Sequence, residues 1–335
     1  MTVALLADPG RFELLSNALT TSDLVQTTIN FLAVGGLYAL IALGYTLVYG
    51  ILRFINFAHS DVVSWGAWIA LSIATGAGWL ASSETPGYAM PLVLVGAMLV
   101  CAAMGVTIER LAYRPLRKAP RLNVLITAIG VSLFLQNVGL LDKFFGNRPK
   151  TIKTLLPNEV VGHLAGVDVR LLDALTIALT IILVIFLERI VYYTRMGRAM
   201  RAVSFDERTA SLMGVNVNVV VSLTFAIGSA LAAAGGILFA LRNDLRMTAD
   251  TSWVLLGLKA FVAAVVGGIG NVRGAAAGAM LIAFVEVFVH RYINAMFPDK
   301  SWVGQLQDIY VFGILIVVLL FKPSGLLGKT TVEKV

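Results

Sequence analysis

Long apolar runs separated by short polar or glycine-rich stretches set the pattern of this chain. Runs long enough to cross about 30 Å of hydrocarbon fall at 24–52, 62–80, 88–108, 122–141, 171–192, 217–241, 252–267, 275–293 and 308–321. They predict helices, because lipid offers no partner to an unpaired backbone amide and the runs are too long for the alternating strands of a barrel. Two runs are irregular. The stretch 24–52 is long enough to bend or break at Gly35-Gly36 or Gly44, and 252–267 is short and ends at Gly267, Gly268 and Gly270. The pattern therefore predicts an all-α, polytopic membrane helix bundle with about eight to ten spans, some of them bent or broken. Residues 1–22 lack the charged start and small-residue cleavage site of a signal peptide and read as an N-terminal interfacial segment. Residues 23–328 form the transmembrane domain, with a cytoplasmic loop at 193–216, and 329–335 form a cytoplasmic tail.

Composition agrees with that pattern. Of 335 residues, 58% are hydrophobic and 13% charged, which excludes an ordinary soluble enzyme and a disordered chain. The single cysteine, Cys101, excludes an intrachain disulfide. The net charge of +7 raises nucleic acid as a partner until the cations are placed. With strictly alternating spans, the loops 53–61, 109–121, 193–216, 268–274 and 322–335 hold fourteen Lys and Arg and five acids, while the opposite loops hold ten and twelve. The cation-rich set is cytoplasmic, which puts the N-terminus outside and the C-terminus inside. The charge is a topology signal and implies no nucleic acid. Within the spans, Glu188 with Arg189 and Lys259 with Glu286 cancel as pairs.

Motifs of soluble chemistry are thin. The stretch Pro323 to Thr330 imitates a phosphate loop but has Pro323 where the first glycine belongs and little chain after it to supply a helix. Gly268-Ile-Gly270 lies between membrane helices and not after a strand, so it is no dinucleotide fingerprint. His59, His163 and His290 are scattered, with no second metal ligand at the required spacing.

The loop 193–216 carries more. Ser204 and Glu207 are spaced as a capping box and Gly214 supplies a stop, so 205–213 reads as a short extramembrane helix. Asp206, Glu207 and Arg208 stand beside Ala210, Ser211, Leu212 and Met213, a mixture that suits docking into a partner's groove or lying on the membrane surface. The second basic loop, Arg110 to Arg121, reads first as topogenic, with a partner contact as the second reading. Inside the spans, Lys259, Glu286, Gln136 and Asn137 must face a cavity or a neighbouring helix; for Lys259 and Glu286, transport chemistry and a packing pair both remain open. The polar stretch from Arg53 through Asn56 and His59 to Asp61 joins two spans and is a candidate for a path or gate. Small residues at 228–236 and 274–278 read as close helix packing.

Several ordered motifs carry a resemblance. They are Gly36 to Gly50, Ile55-Asn-Phe-Ala-His59, Tyr113-Arg-Pro-Leu-Arg117, Ile126 to Asn137, Met196 to Arg201 through Ala210 to Asn216, Val265 to Asn271, and Lys322 to Gly328. Over about 24–328 the chain resembles the inner-membrane permease subunits of branched-chain amino acid ABC importers, the type that pairs with a second, homologous permease. It departs at Ser60-Asp61, where the family commonly has glycine and then an acid, and at Arg53. The resemblance implies a bacterial inner-membrane subunit with no cofactor of its own, ATP and Mg being held by two cytoplasmic ATPase partners. It also implies a periplasmic substrate-binding protein, a coupling role for 206–214, and a substrate path at the permease interface that includes Asn56, His59, Gln136 and Asn137. The expected cargo is a branched-chain or other neutral amino acid. Urea or a short amide is the alternative within the family; an autonomous secondary transporter or channel, and more distantly a membrane enzyme, are the alternatives outside it.

Overall fold

The computed structural model describes residues 20–79, 86–117, 119–146, 150–151, 159–242, 246–247, 252–296 and 306–328. Most of the expected interfacial segment 1–22 and the tail 329–335 lie outside the described residues.

The first helix, α1 (Thr21–Leu52), starts where the Thr20 hydroxyl accepts the Asp23 amide and ends where Arg53 turns left-handed at φ 53°. Its 32 residues run to about 48 Å at 1.5 Å per residue, longer than the hydrocarbon is thick. No break occurs at Gly35-Gly36 or Gly44: the helix is continuous, and its glycines admit neighbours. A Cβ on Gly44 would meet the Gly228 carbonyl at 2.9 Å and collide with the His59 ring. Helices α2 (His59–Gly76), α3 (Ala89–Ile108), α4 (Arg121–Gly139) and α5 (Leu171–Tyr193) follow. Two short helices, α6 (Arg195–Phe205) and α7 (Glu207–Leu212), precede α8 (Val217–Arg242). Then come α9 (Ser252–Gly267), α10 (Val272–Phe284), α11 (His290–Met296) and α12 (Gln307–Phe321). Among the described residues, six helical stretches are long and apolar enough to cross a membrane; α2, α9 and α12 are shorter or more polar apolar helices.

Helices α1 and α8 form the centre. In its most apolar stretch α1 is 83% buried, against 22% for α5. The small residues of α8 make this possible: Gly228 faces Gly44, Ser229 faces Gly105, Ala233 faces Gly66, and Gly236 lies against the Val63 carbonyl. Without a hydrophobic drive between helices in lipid, such close backbone approach supplies the packing. The rim helices α3, α4, α5 and α12 expose apolar faces, for example Leu99, Phe134, Phe186 and Leu320.

Two helices are interrupted by wide π-turns. One, Glu109–Tyr113, follows α3; the other, Val285–Val289, joins α10 to α11. Strand structure is minor. Strands β2 (Val160–Leu164) and β3 (Val167–Arg170) form a hairpin whose turn residues, Ala165 and Gly166, both have positive φ, as a tight primed turn requires. The two-residue strands β1 (Lys150–Thr151) and β4 (Arg246–Met247) pair antiparallel.

The segment after α12 folds back on the α9–α10 junction. The amides of Leu326 and Leu327 donate to the carbonyls of Val266 (2.8 Å) and Gly267 (3.0 Å), and Asn271 Nδ2 donates to the Leu327 carbonyl at 2.8 Å. Side-chain contacts sort the helix termini into two ends. Arg291 with Asp23 and Arg242 with Asn30 mark one, hereafter the α1-start end. Arg53 with Ser204 and Arg117 with Asn218 mark the opposite, α6–α7 end.

Candidate functional site

At the α6–α7 end, Thr194 caps α6 by accepting the Gly197 amide at 3.0 Å. Helix α7 is then opened by Asp206, whose Oδ1 accepts the amides of Arg208 (2.8 Å) and Thr209 (3.2 Å) while Oδ2 accepts the Thr209 hydroxyl (2.7 Å). The sequence expectation of a Ser204 cap is corrected: Ser204 lies inside α6 and bonds back to the Arg201 carbonyl. A carboxylate holding three donors outcompetes a hydroxyl that already has a local acceptor. The Thr209 hydroxyl, followed by the two amides, holds the Asp206 carboxyl below its ordinary range. Gly214, at φ 86°, closes α7, with the Val215 amide donating to Ala210 and the Gly214 amide to Ser211.

On α7 only Ala210 is buried, against Met200, Val203 and Val220. Glu207, Arg208 and Ser211 are exposed, and so are two large apolar side chains, Leu212 at 81% and Met213 at 80%. Phe205, at the end of α6, is 88% exposed and completes an apolar knob. Sequence reasoning missed Phe205, whose signal was an aromatic between two cap-forming residues.

Behind the knob stands the π-turn after α3. The Glu109 carboxylate, fully buried, receives Arg117, Arg114 at 3.3 Å, and the Ser222 hydroxyl at 2.6 Å. Arg117 also donates to Asn218 Oδ1 at 2.9 Å. The basic loop is thus tied to the first turns of α8, immediately after α7. Arg53 adds another tie, donating to the Ser204 carbonyl at 3.1 Å.

The other sequence candidates divide. Asn56 is buried and its Oδ1 accepts the Tyr113 hydroxyl at 2.6 Å. His59 stacks edge-on to Tyr45, and its Nε2 lies 3.2 Å from the Ile41 carbonyl, so that nitrogen carries the proton. Gln136 donates to Asp61 Oδ1 at 2.9 Å and to Ser132 at 3.1 Å. Asp61 Oδ2 is buried with no hydrogen-bond partner among the described residues. The structure thus joins α1, α2 and α4 through Tyr45, Ser60, Asp61 and Gln136, with His59 against Tyr45. Asn137 stands apart on the exposed face of α4, bonded to its own helix at Leu133. Such groups can pass a polar solute between hydrogen bonds; among the described residues no three His, Cys, Asp or Glu side chains gather as metal ligands.

At the α1-start end, Lys259 and Glu286 do pair, at 3.1 Å, and Lys259 also meets Asp308 at 2.8 Å. Tyr38 donates to Glu286 Oε2 at 2.7 Å and Gln307 to Oε1. Glu286 stands on the second π-turn and lines a cleft of about 530 Å³. Glu188 and Arg189, which cancel in the charge balance of the spans, do not bond each other: Glu188 bonds Arg273, while Arg189 lies over the Tyr193 ring. Adjacent residues on a helix point about 100° apart, and Arg273 reaches Glu188 from a neighbouring helix.

Comparison with known proteins adds four findings. A family model described as the permease component of branched-chain amino acid transport systems matches residues 27–320. The chain is 40% identical over 314 residues to the high-affinity branched-chain amino acid transport system permease protein BraD of Pseudomonas aeruginosa, covering 93% of this chain and 98% of the relative. It is 38% identical to the corresponding permease protein LivH of Escherichia coli K12, covering 93% and 97%. A third relative, the probable branched-chain amino acid transport permease protein LivM of Methanocaldococcus jannaschii, is 24% identical over 252 residues, 71% of this chain and 69% of the relative.

Proposed function

The chain belongs to the permease family of branched-chain amino acid transport systems, and from that premise we propose that it is the membrane-embedded permease subunit of an ATP-driven importer for branched-chain or other neutral amino acids. The observation that carries this is the nearly end-to-end match, at 40% identity, to a high-affinity branched-chain amino acid permease protein. The subunit is a multi-pass membrane protein and a part of a transporter.

Its partners in this proposal are a second homologous permease, two cytoplasmic ATPase subunits that bind ATP and Mg, and a periplasmic substrate-binding protein. The similarity to a differently named permease protein, LivM, supports a pairing of two homologous permeases. The cation excess of the loops at the α6–α7 end supports a cytoplasmic position for that end, with the N-terminus outside. There, Asp206 to Gly214 with Phe205 form the contact with an ATPase. Three exposed apolar side chains on and beside a short polar helix suit a groove in a soluble partner, where a buried apolar centre contributes most of the docking energy. Ala210 against Val220, and Arg117 on Asn218, give a push on α7 a rigid route into the central helix α8. Asn56, His59, Gln136 and Asn137, with Asp61, belong to the path side of the subunit in this proposal.

The test is ATP-dependent uptake of labelled L-leucine into proteoliposomes holding the chain with its second permease, ATPases and binding protein. Leucine uptake that requires ATP is expected, with urea not carried. Leu212→Ala with Met213→Ala should lower uptake roughly tenfold, the effect of about 1.4 kcal/mol of lost docking energy, while stability stays within about 0.5 kcal/mol because both side chains are exposed. Uptake by the chain alone, without ATPases, would contradict the proposal.

A further inference from the structure

Helix α5 is the least buried of the six long apolar helices, and its outward face is a single stripe. Leu175, Ile182, Ile185, Arg189 and Tyr193 follow one another at steps of three, four or seven residues, so they line one side of the helix, and all five are exposed. The stripe is apolar for most of its length and then turns basic and aromatic at the α6–α7 end, as a lipid-facing helix does where it leaves the hydrocarbon. At that point Ile185, Glu188, Arg189 and Tyr193 line a groove of about 210 Å³.

The charges around the groove favour an anion. The Arg189 guanidinium lies 5.6 Å from the centre of the Tyr193 ring, and among the described residues no carboxylate or carbonyl accepts from it. Glu188, the one acid that lines the groove, is already taken by Arg273. Arg273 and Arg201 both lie over the neighbouring Tyr192 ring, at 5.5 and 5.7 Å, so guanidiniums outnumber carboxylates here, and the α6 that follows starts with Arg195 and Arg198 exposed. A guanidinium held over a ring keeps its N–H donors, and at the edge of the hydrocarbon the acceptor that matches them is an anionic oxygen at headgroup depth. A second permease matches less well, because the loops at this end are already the cation-rich set and a homologous subunit would bring cations of its own. We propose that this face of α5 holds an anionic phospholipid of the leaflet at the α6–α7 end, its phosphate on Arg189 in the groove beside Tyr193 and an acyl chain along Ile185, Ile182 and Leu175. The proposal goes beyond the permease reading and needs only that α5 crosses the membrane.

The test places a bimane fluorophore at Ile182→Cys of the full-length chain in phosphatidylcholine nanodiscs; the native Cys101 is buried and stays unlabelled. Phosphatidylglycerol with a nitroxide on its acyl chain should quench this fluorophore several-fold more than phosphatidylcholine labelled in the same way and present at the same mole fraction. A fluorophore at Leu92→Cys, on the exposed side of α3 near the α1-start end, should show no such preference. Arg189→Gln should abolish the preference at position 182, and Arg189→Lys should keep part of it; Arg189 is exposed, so neither change should disturb insertion. An equal preference at position 92 would mean that the lipid answers only the overall charge of the protein, and a preference unchanged in Arg189→Gln would remove the site from this groove; either result overturns the proposal. Loss of the quenching when the second permease is added would make the face a subunit contact and overturn it as well.

Discussion

The two π-turns carry the two glutamates that are buried among the described residues, and they solve the same problem in opposite ways. Glu109 is neutralised largely from nearby in sequence, by Arg114 and Arg117, with Ser222 of α8 as its one distant partner. Glu286 is neutralised from afar, by Tyr38 of α1, Lys259 of α9 and Gln307 of α12, and it opens on a cleft. A π-turn widens the helix by one residue and swings a side chain off the ordinary helical rows, which is why both carboxylates can point inward. The first arrangement makes a loop into a rigid block beside the knob of Phe205, Leu212 and Met213. The second holds helices from three regions of the chain around a space. A local knot suits transmission of force; a knot assembled from distant helices suits a site whose shape depends on how those helices sit.

The sharpest break of this contrast is Glu109→Gln. It leaves Arg117, itself nearly buried, without a counter-charge, and removal of one partner from a buried pair costs about 3–5 kcal/mol. Thermal unfolding in detergent should show a large loss, and no loss would mean that the block is not rigid. Glu286→Gln should cost less, about 1–3 kcal/mol, because Lys259 keeps Asp308 at 2.8 Å. A Glu286→Gln effect as large as that of Glu109→Gln would erase the distinction between the two turns. The smallest expected effect concerns the knob itself. The Asp206 carboxyl is held below its unfolded value, so the cap's contribution is fully present above about pH 4 and is lost as pH falls through the lower, folded value. Amide exchange at 207–213 should therefore quicken only in acid, and Asp206→Asn should remove that acid dependence; an unchanged profile would mean that the carboxylate does not hold α7.

Much of the fold was legible because apolar length is a direct consequence of hydrocarbon thickness. The apolar runs became helices, and Gly214 stopped α7 as its conformational freedom suggested. The break of α1 that the sequence allows at Gly35-Gly36 or Gly44 does not occur, since a glycine in a sequence cannot tell whether it interrupts its own helix or admits another; Gly228 and His59 gave the answer. Lys259 and Glu286 were legible as a pair because two opposite intramembrane charges have few alternatives. Glu109 was not, because its spacings of five and eight residues to Arg114 and Arg117 fit a π-turn and fall outside the three- and four-residue rule of an α-helix. Position within the candidate path was only partly legible: the adjacent residues Gln136 and Asn137 look alike in sequence, but they lie about 100° apart on α4, one bonded to Asp61 and the other on the exposed face.

The stitch between Leu326-Leu327 and the α9–α10 junction concerns the order of events during synthesis. The carbonyls of Val266 and Gly267 end α9 and have no acceptor role to fill within it, so they wait for amides that leave the ribosome only after α10, α11 and α12 have been made. A nascent chain arrested anywhere before Leu326 would leave the carbonyls of Val266 and Gly267 without these donors. The last described turn of the chain thus closes a junction that begins about sixty residues earlier, among the latest contacts the described chain can make during synthesis.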